Sequence, residues 1–275
     1  MTLARHPGWV TARAAPTAAS SPAGFPFSKV PRITAAFWII KVLTTGMGET
    51  ASDFLAHRLG PVPAVGVTGL LLLAALVWQL SSPCYRAPVY WTAVVMVSVF
   101  GTVAADVVHI GLGVPYLIST VAFALVLAAV FWRWRSREGT LSIHSIHTRP
   151  RELFYWLTVL TTFALGTAAG DMTARTLNLG WLNSAVLFAA LMMVPVLLRR
   201  PLGEVATFWI AYILTRPLGA SVADWMAVGH AQGGLNLGTG PVTLGWGAVI
   251  IVFVAALAIT RRDVENGTAG VTAVS

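Results

Sequence analysis

Charge is scarce in this chain: of 275 residues only 10% are Asp, Glu, Lys or Arg, while 56% are hydrophobic. Soluble domains carry about 25% charged residues. A water-soluble fold of this length has no core large enough to hide so much apolar surface, so the excess must face lipid. Cysteine is nearly absent, and the single Cys84 excludes an intrachain disulfide. Short segments of alternating polarity are lacking, which argues against a transmembrane barrel. Residues 1–30 hold no apolar stretch like a signal-peptide core and are rich in Ala, Pro and Ser; they read as a disordered cytoplasmic tail, with 261–275 as its C-terminal counterpart. No H-E-x-x-H or G-x-S-x-G sequence occurs. Ala168-Ala169-Gly170-Asp171 approaches an intramembrane aspartyl-protease motif, but Ala168 stands where its first glycine belongs. No enzyme activity is expected.

What the chain does have is long apolar runs. A helix needs about 20 apolar residues to cross a bilayer core. Eight such runs fall near 35–56, 62–80, 88–109, 115–132, 153–174, 181–198, 205–227 and 241–260. The expected fold class is all-α, a polytopic bundle of eight transmembrane helices. The first membrane half covers 31–132 and the second 153–260, joined by a cytoplasmic linker over 133–152.

The net charge of +8 would suit a nucleic-acid partner, but its distribution points to topology. With eight spans, both termini and the even-numbered connections share one side. That side carries 14 of the 18 basic residues, and the other carries only Arg58 and Arg175. By the positive-inside rule both termini are expected in the cytoplasm, the protein lying in a bacterial inner membrane. The lipid bilayer, not nucleic acid, is the expected partner.

The most informative feature is an internal repeat. Trp38 is followed by Gly48 and Asp53, Trp91 by Gly101 and Asp106, Trp156 by Gly166 and Asp171, and Trp209 by Gly219 and Asp224. The pattern W-x9-G-x4-D occurs four times without a gap and uses four of the five aspartates. Trp38 to Trp91 and Trp156 to Trp209 are each 53 residues, and the two halves are offset by 118. A duplicated hairpin followed by duplication of the four-helix half explains these spacings. Each unit has two spans, so the four units enter the membrane in parallel.

The chain resembles a family of bacterial uncharacterised membrane-anchored proteins with four tandem two-span repeats of unknown function. The resemblance covers about 29–227 and rests on KVLTTGMGETASDF from Lys41, GTLSIHSI from Gly139, FALGTAAGD from Phe163 and AYILTRPLGASVAD from Ala211. It implies the repeat architecture and no established activity.

Each repeated residue has a physical reading. Trp38, Trp91, Trp156 and Trp209 begin the odd helices, where indole suits the membrane interface, so they read as interfacial anchors. Gly48, Gly101, Gly166 and Gly219 each have a small residue four positions on, the spacing that lets helices pack closely in lipid. The aspartates lie fifteen residues, roughly 22 Å of helix, beyond the tryptophans. Asp53, Asp106, Asp171 and Asp224 therefore reach the outer third of the bilayer core, where a charge is costly. Four carboxylates on parallel helices can converge on a cation or share protons. Alternatively, each makes a separate structural hydrogen bond.

The repeats also differ. Lys41, Thr45, Glu49 and Asp53 follow one face of the first helix at intervals of four. Glu49 has Thr102, Thr167 and Ala220 as counterparts, and Arg216 precedes Pro217 in the seventh helix. Lys41 and Arg216 are expected to pair with acids. His57 and His109 lie near Asp53 and Asp106 and are weak candidates for metal ligation. His144 and His147 of the linker have no assigned role. These residues name no cofactor. They favour a cation transporter-like protein, for a divalent metal or coupled to protons, over a scaffold or sensor whose intramembrane polar residues only hold repeats together.

Overall fold

A computed structural model describes residues 28–264; of the tails expected over 1–30 and 261–275, residues 1–27 and 265–275 lie outside the described residues. Eight long helices and no strand occupy the described residues: α1 (Ala35–Leu59), α2 (Pro61–Ser81), α3 (Ala87–Asp106), α4 (Tyr116–Glu138), α5 (Arg149–Asp171), α6 (Gly180–Leu197), α7 (Arg199–Ala227) and α8 (Thr239–Thr260). All but α1 have the length and mean hydropathy to cross a membrane. The exception has a local cause, because α1 carries Lys41, Glu49 and Asp53 within its 25 residues. Lys41 and Glu49 are buried in the bundle, so they do not oppose contact between lipid and the other face of α1. The chain is a multi-pass helical membrane protein.

The helix boundaries follow local chemistry. Thr34 caps α1 by accepting a hydrogen bond from the Phe37 amide at 3.3 Å. Proline sits in the first turn of α2, α3 and α5, where its missing N–H costs nothing. The linker expected over 133–152 is shorter than that. Arg133–Glu138 extend α4 and Arg149–Glu152 begin α5, leaving 139–148 as the connection. α7 is broken at Gly203, whose backbone is not helical (φ 73°): a short first segment from Arg199 joins α6 almost directly, and the long segment begins just after it, close to the expected 205.

The described ends of the two expected tails are packed. Lys29 is fully buried; its ammonium donates to Glu152 at 2.5 Å and to the Leu80 carbonyl at 3.1 Å. Gln79 donates to the other Glu152 oxygen at 3.2 Å. Asp263 accepts a hydrogen bond from Tyr85. Burial, together with this carboxylate, pushes the Tyr85 hydroxyl far above its ordinary range.

The four odd helices form a closed ring in the order α1, α3, α5, α7 and back to α1. The even helices lie outside it, each packed chiefly on the inner helix of the following repeat: α2 on α3, α4 on α5, α6 on α7 and α8 on α1. Two sets of contacts interlock the ring. At the arginine-rich end, the aromatic residue before each tryptophan meets the tryptophan of the next repeat. Phe37 packs on Trp91 at 5.6 Å, Tyr90 on Trp156 at 5.6 Å, Tyr155 on Trp209 at 6.2 Å and Phe208 on Trp38 at 5.7 Å between ring centroids.

Ten residues further along each helix, the glycine admits a side chain of the next repeat. A Cβ on Gly48 would strike Ser98, on Gly101 Phe163, on Gly166 Arg216 and on Gly219 Thr45. Those four partners occupy one repeat position, seven residues after the tryptophan. The glycine packing expected from the sequence is therefore cyclic.

The tryptophans require a correction. Trp91, Trp156 and Trp209 are 1%, 4% and 4% exposed, so they face the interlock and not lipid. Trp38 alone stays partly exposed. Their aromatic neighbours inside the ring outweigh the interfacial preference of indole.

Closure of the ring predicts an asymmetric response to added methyl groups. Gly219→Val drives its branches against Thr45 and the Val42 carbonyl and is expected to cost about 1–3 kcal/mol. The readout is a lower melting temperature in detergent. Gly66→Ala, on a face of α2 with nothing within 4 Å of the new Cβ, is expected to leave that temperature unchanged. Equal effects would contradict the interlock.

Candidate functional site

The inner helices present one face to the ring axis, with residues at −1, +3, +7, +11 and +15 from each tryptophan. A spacing of four keeps these residues on one stripe. The layer at −1 is wholly aromatic: Phe37, Tyr90, Tyr155 and Phe208. The Tyr90 and Tyr155 hydroxyls hydrogen-bond to each other across it.

The next layers hold the cations. Lys41 is buried, with its ammonium 4.1 Å from the Phe163 ring centre and 4.3 Å from that of Tyr212. Its Nζ has no hydrogen-bond partner among the described residues. The expected pairing with an acid is thus not made, and the Lys41 amine lies against aromatic faces instead.

Arg216 does find its acid. One terminal nitrogen donates to Glu49 Oε2 at 2.6 Å, to Thr167 Oγ1 at 2.7 Å and to Thr102 Oγ1. Its other terminal nitrogen reaches the Thr45 carbonyl at 3.4 Å. Glu49, Thr102 and Thr167 occupy the same repeat position, eleven residues after the tryptophan. The fourth member is Ala220, one turn beyond Arg216 on its own helix. One guanidinium from the fourth repeat is therefore held by the other three. Arg216 and Glu49 are both buried, and removing one partner of such a pair leaves the other charge uncompensated.

Beyond this layer the four aspartates lie within electrostatic reach of Glu49, though no three acids among the described residues are close enough to share a metal ion. Glu49 acts electrostatically on Asp53, Asp106, Asp171 and Asp224 alike. Asp171 acts on Asp53, and both act on Asp106 and Asp224. Asp171 and Asp224 are buried, and Asp53 and Asp106 are partly exposed. A cavity of about 280 Å³ adjoins Asp53 and Asp106, with His57, Pro61 and Gly111 in its wall. Directly after Asp106 and Asp171 the helices widen into π turns, Val107–Gly111 and Met172–Thr176. π turns are frequent at functional positions.

Two contributors to the cluster come from outside the tryptophan-to-aspartate frame. Arg175 stands 3.5 Å from Asp171, and Tyr116 lies beside the same carboxylate. Sequence spacing offered one hint, since Arg175 follows Asp171 by four residues as His57 follows Asp53. Three basic side chains, Lys41, Arg175 and Arg216, thus stand against five acidic ones around the axis. The histidines are turned to local partners. His57 Nδ1 lies 2.6 Å from the Asp53 carbonyl, and His109 Nδ1 lies 3.0 Å from Ser119 Oγ. No three His, Cys, Asp or Glu side chains among the described residues form a metal-holding group. His57 and His109 belong to no such group, and each has a local partner.

The pair at the centre predicts strong coupling. Arg216→Met leaves Glu49 buried without its cation and is expected to cost about 3–5 kcal/mol. Combining it with Glu49→Met is expected to recover most of that loss. The measurement is a double-mutant cycle on thermal unfolding in detergent, and strictly additive losses would contradict the pairing.

The repeat frame has an independent counterpart. Over 36–84, 89–140, 154–206 and 207–263 the chain matches four times the family described as Repeat of Unknown Function (DUF347). Each matched segment begins two residues before one of the four repeat tryptophans. No curated protein and no solved structure matches the chain.

Proposed function

The chain belongs to this repeat family, and from that premise we propose that it is a cation transporter-like protein whose cation enters at the ring of aspartates. The supporting observation is the convergence of Asp53, Asp106, Asp171 and Asp224 around Glu49 at one end of the axis. Carboxylates gathered in a medium of low dielectric repel one another strongly. A cation or shared protons among them relieve that repulsion.

Protons fit the arrangement better than a divalent metal. A hard divalent ion wants several oxygen ligands in contact with it, and the described residues form no such group. Protons need only carboxylates within each other's field. The cavity beside Asp53 and Asp106 would let water reach them. Arg216 serves as the internal counter-ion, holding Glu49 when no cation is bound. Beneath it, Lys41 and the aromatic layers bar the axis, so any pathway across the membrane requires that barrier to move. The arginine asymmetry favours a bacterial cytoplasmic membrane with both termini inside. The carboxylate ring then faces outward. No catalytic role is proposed.

A second reading is supported by the saturated bonding of the Arg216 terminal nitrogen. In that reading the polar residues only lock the repeats together, and the protein is a membrane scaffold. Flux measured in proteoliposomes under imposed pH and cation gradients separates the two. Asp106→Asn and Asp224→Asn variants with unchanged melting temperatures are expected to lose at least about tenfold of the flux. Unchanged flux in well-folded variants would sink the transport reading. A lowered melting temperature with no flux in the parent protein would support the scaffold.

A further inference from the structure

The tryptophan interlock has one member, Trp38, that stays partly exposed. The Trp209 ring is enclosed by Phe131 and Trp134 of α4, and its indole N–H donates to the Leu141 carbonyl at 2.9 Å. Trp38, the equivalent residue of the first repeat, instead forms part of the wall of a cavity of about 400 Å³. This cavity lies at the arginine-rich end, between the start of α1, the 139–148 connection and the joint of α6 with α7. Its size falls within the range of small-molecule pockets.

The cavity is amphiphilic in a directional way. Ile33, Trp38, Leu141, Val205 and Phe208 supply apolar wall. Arg199 and Arg200 contribute positive charge, and both are exposed. His144 and Glu204 also line the cavity and lie 3.4 Å apart, so the one acid there has a basic neighbour. Leu197 and Leu198, just before the arginines, are exposed apolar side chains at the end of a spanning helix. The two guanidinium groups therefore come at the headgroup level of the adjoining leaflet.

We propose that this cavity binds one anionic phospholipid of the surrounding leaflet, an acyl chain lying against Trp38 and Phe208 and the phosphate meeting Arg199 and Arg200. Guanidinium forks match phosphate oxygens in pairs. Basic pockets between spanning helices recognise anionic headgroups by the same means. Charge also argues against the N-terminal tail as occupant, because residues 1–27 contain Arg5 and Arg13 and no acid. The lipid adds to the cover that Phe208 gives Trp38, the one repeat tryptophan left partly exposed.

Binding can be read by native mass spectrometry on the full-length protein, delipidated in neutral detergent and offered phosphatidylglycerol or phosphatidylcholine. One phosphatidylglycerol is expected to bind in preference to phosphatidylcholine. Each basic residue near a headgroup contributes roughly fivefold, so Arg199→Gln with Arg200→Gln is expected to weaken binding roughly 30-fold. Val205→Trp keeps both arginines, fills the apolar wall and is expected to weaken it at least about tenfold. Arg133→Gln with Arg135→Gln alters charge on the same side away from the cavity and is expected to change nothing.

Equal weakening by that last pair would overturn the site in favour of a diffuse basic surface. Equal binding of phosphatidylcholine would remove the role of the arginines. Displacement by oleate or by inorganic phosphate as readily as by phosphatidylglycerol would point to a free anion and overturn the lipid assignment. A gain of binding only on removal of residues 1–27 would place the tail in the cavity and also overturn it.

Discussion

Helices in lipid gain nothing from escaping water, so they associate only where their surfaces approach closely and interlock. In this protein that requirement is met by a glycine admitting a side chain from the next repeat. Gly48 receives Ser98, Gly101 receives Phe163, Gly166 receives Arg216 and Gly219 receives Thr45, which returns the chain of contacts to the first helix. Everything on the axis depends on this closure. Backbones held at such distances bring Arg216 within reach of Glu49, Thr102 and Thr167 at once. A wider ring would leave a guanidinium in apolar surroundings without enough acceptors.

The axis is graded from one end to the other. Aromatic rings fill the arginine-rich end, Lys41 lies against two of them, Arg216 is clasped by polar groups, and the aspartates gather beyond. The gradient has a physical logic. An ammonium without a carboxylate needs polarisable faces around it, and Phe163 and Tyr212 provide them. An arginine has five donors and a planar shape, so it suits a position where several acceptors converge. Carboxylates lie nearest the end where the π turns loosen the helices and where a cavity reaches two of them. Polarity thus increases toward the end with access.

Much of this was legible in the sequence because the repeat is written in single residues. The W-x9-G-x4-D frame places four glycines and four aspartates at matching depths, and the lengths of the apolar runs locate the helices. The convergence of the aspartates needed coordinates, since parallel helices could equally turn those faces toward lipid or toward α2, α4, α6 and α8. Lys41 lies against aromatic rings and not beside an acid because Phe163 and Tyr212 come from two other helices, which sequence spacing along α1 does not reveal. The burial of the tryptophans is hidden from the sequence for a similar reason. Their position at a helix start suits an interface, but the preceding aromatic residue of another repeat encloses three of them.

The same cyclic order governs the outer helices, each of which packs on the inner helix of the following repeat. No repeat contains its own main contacts, so a single two-helix unit has its best partners elsewhere in the ring. Interfaces of this head-to-tail kind generate closed rings when the rotation between units returns to the start. Four identical units could meet that condition, but they would place four copies of every axial residue in one layer. Four guanidinium groups in one layer would repel one another and leave no side for an acceptor. Joining the units in one chain removes that restriction. It allows one Arg216 opposite one Glu49, with Thr102 and Thr167 completing the layer and Ala220 leaving room. The aspartates show the contrasting case, since carboxylates can be kept at all four positions if cations or protons come between them. The layer that stayed uniform is the one a small cation can neutralise, and the layers that diverged are those in which a large fixed cation had to be accommodated by the chain itself.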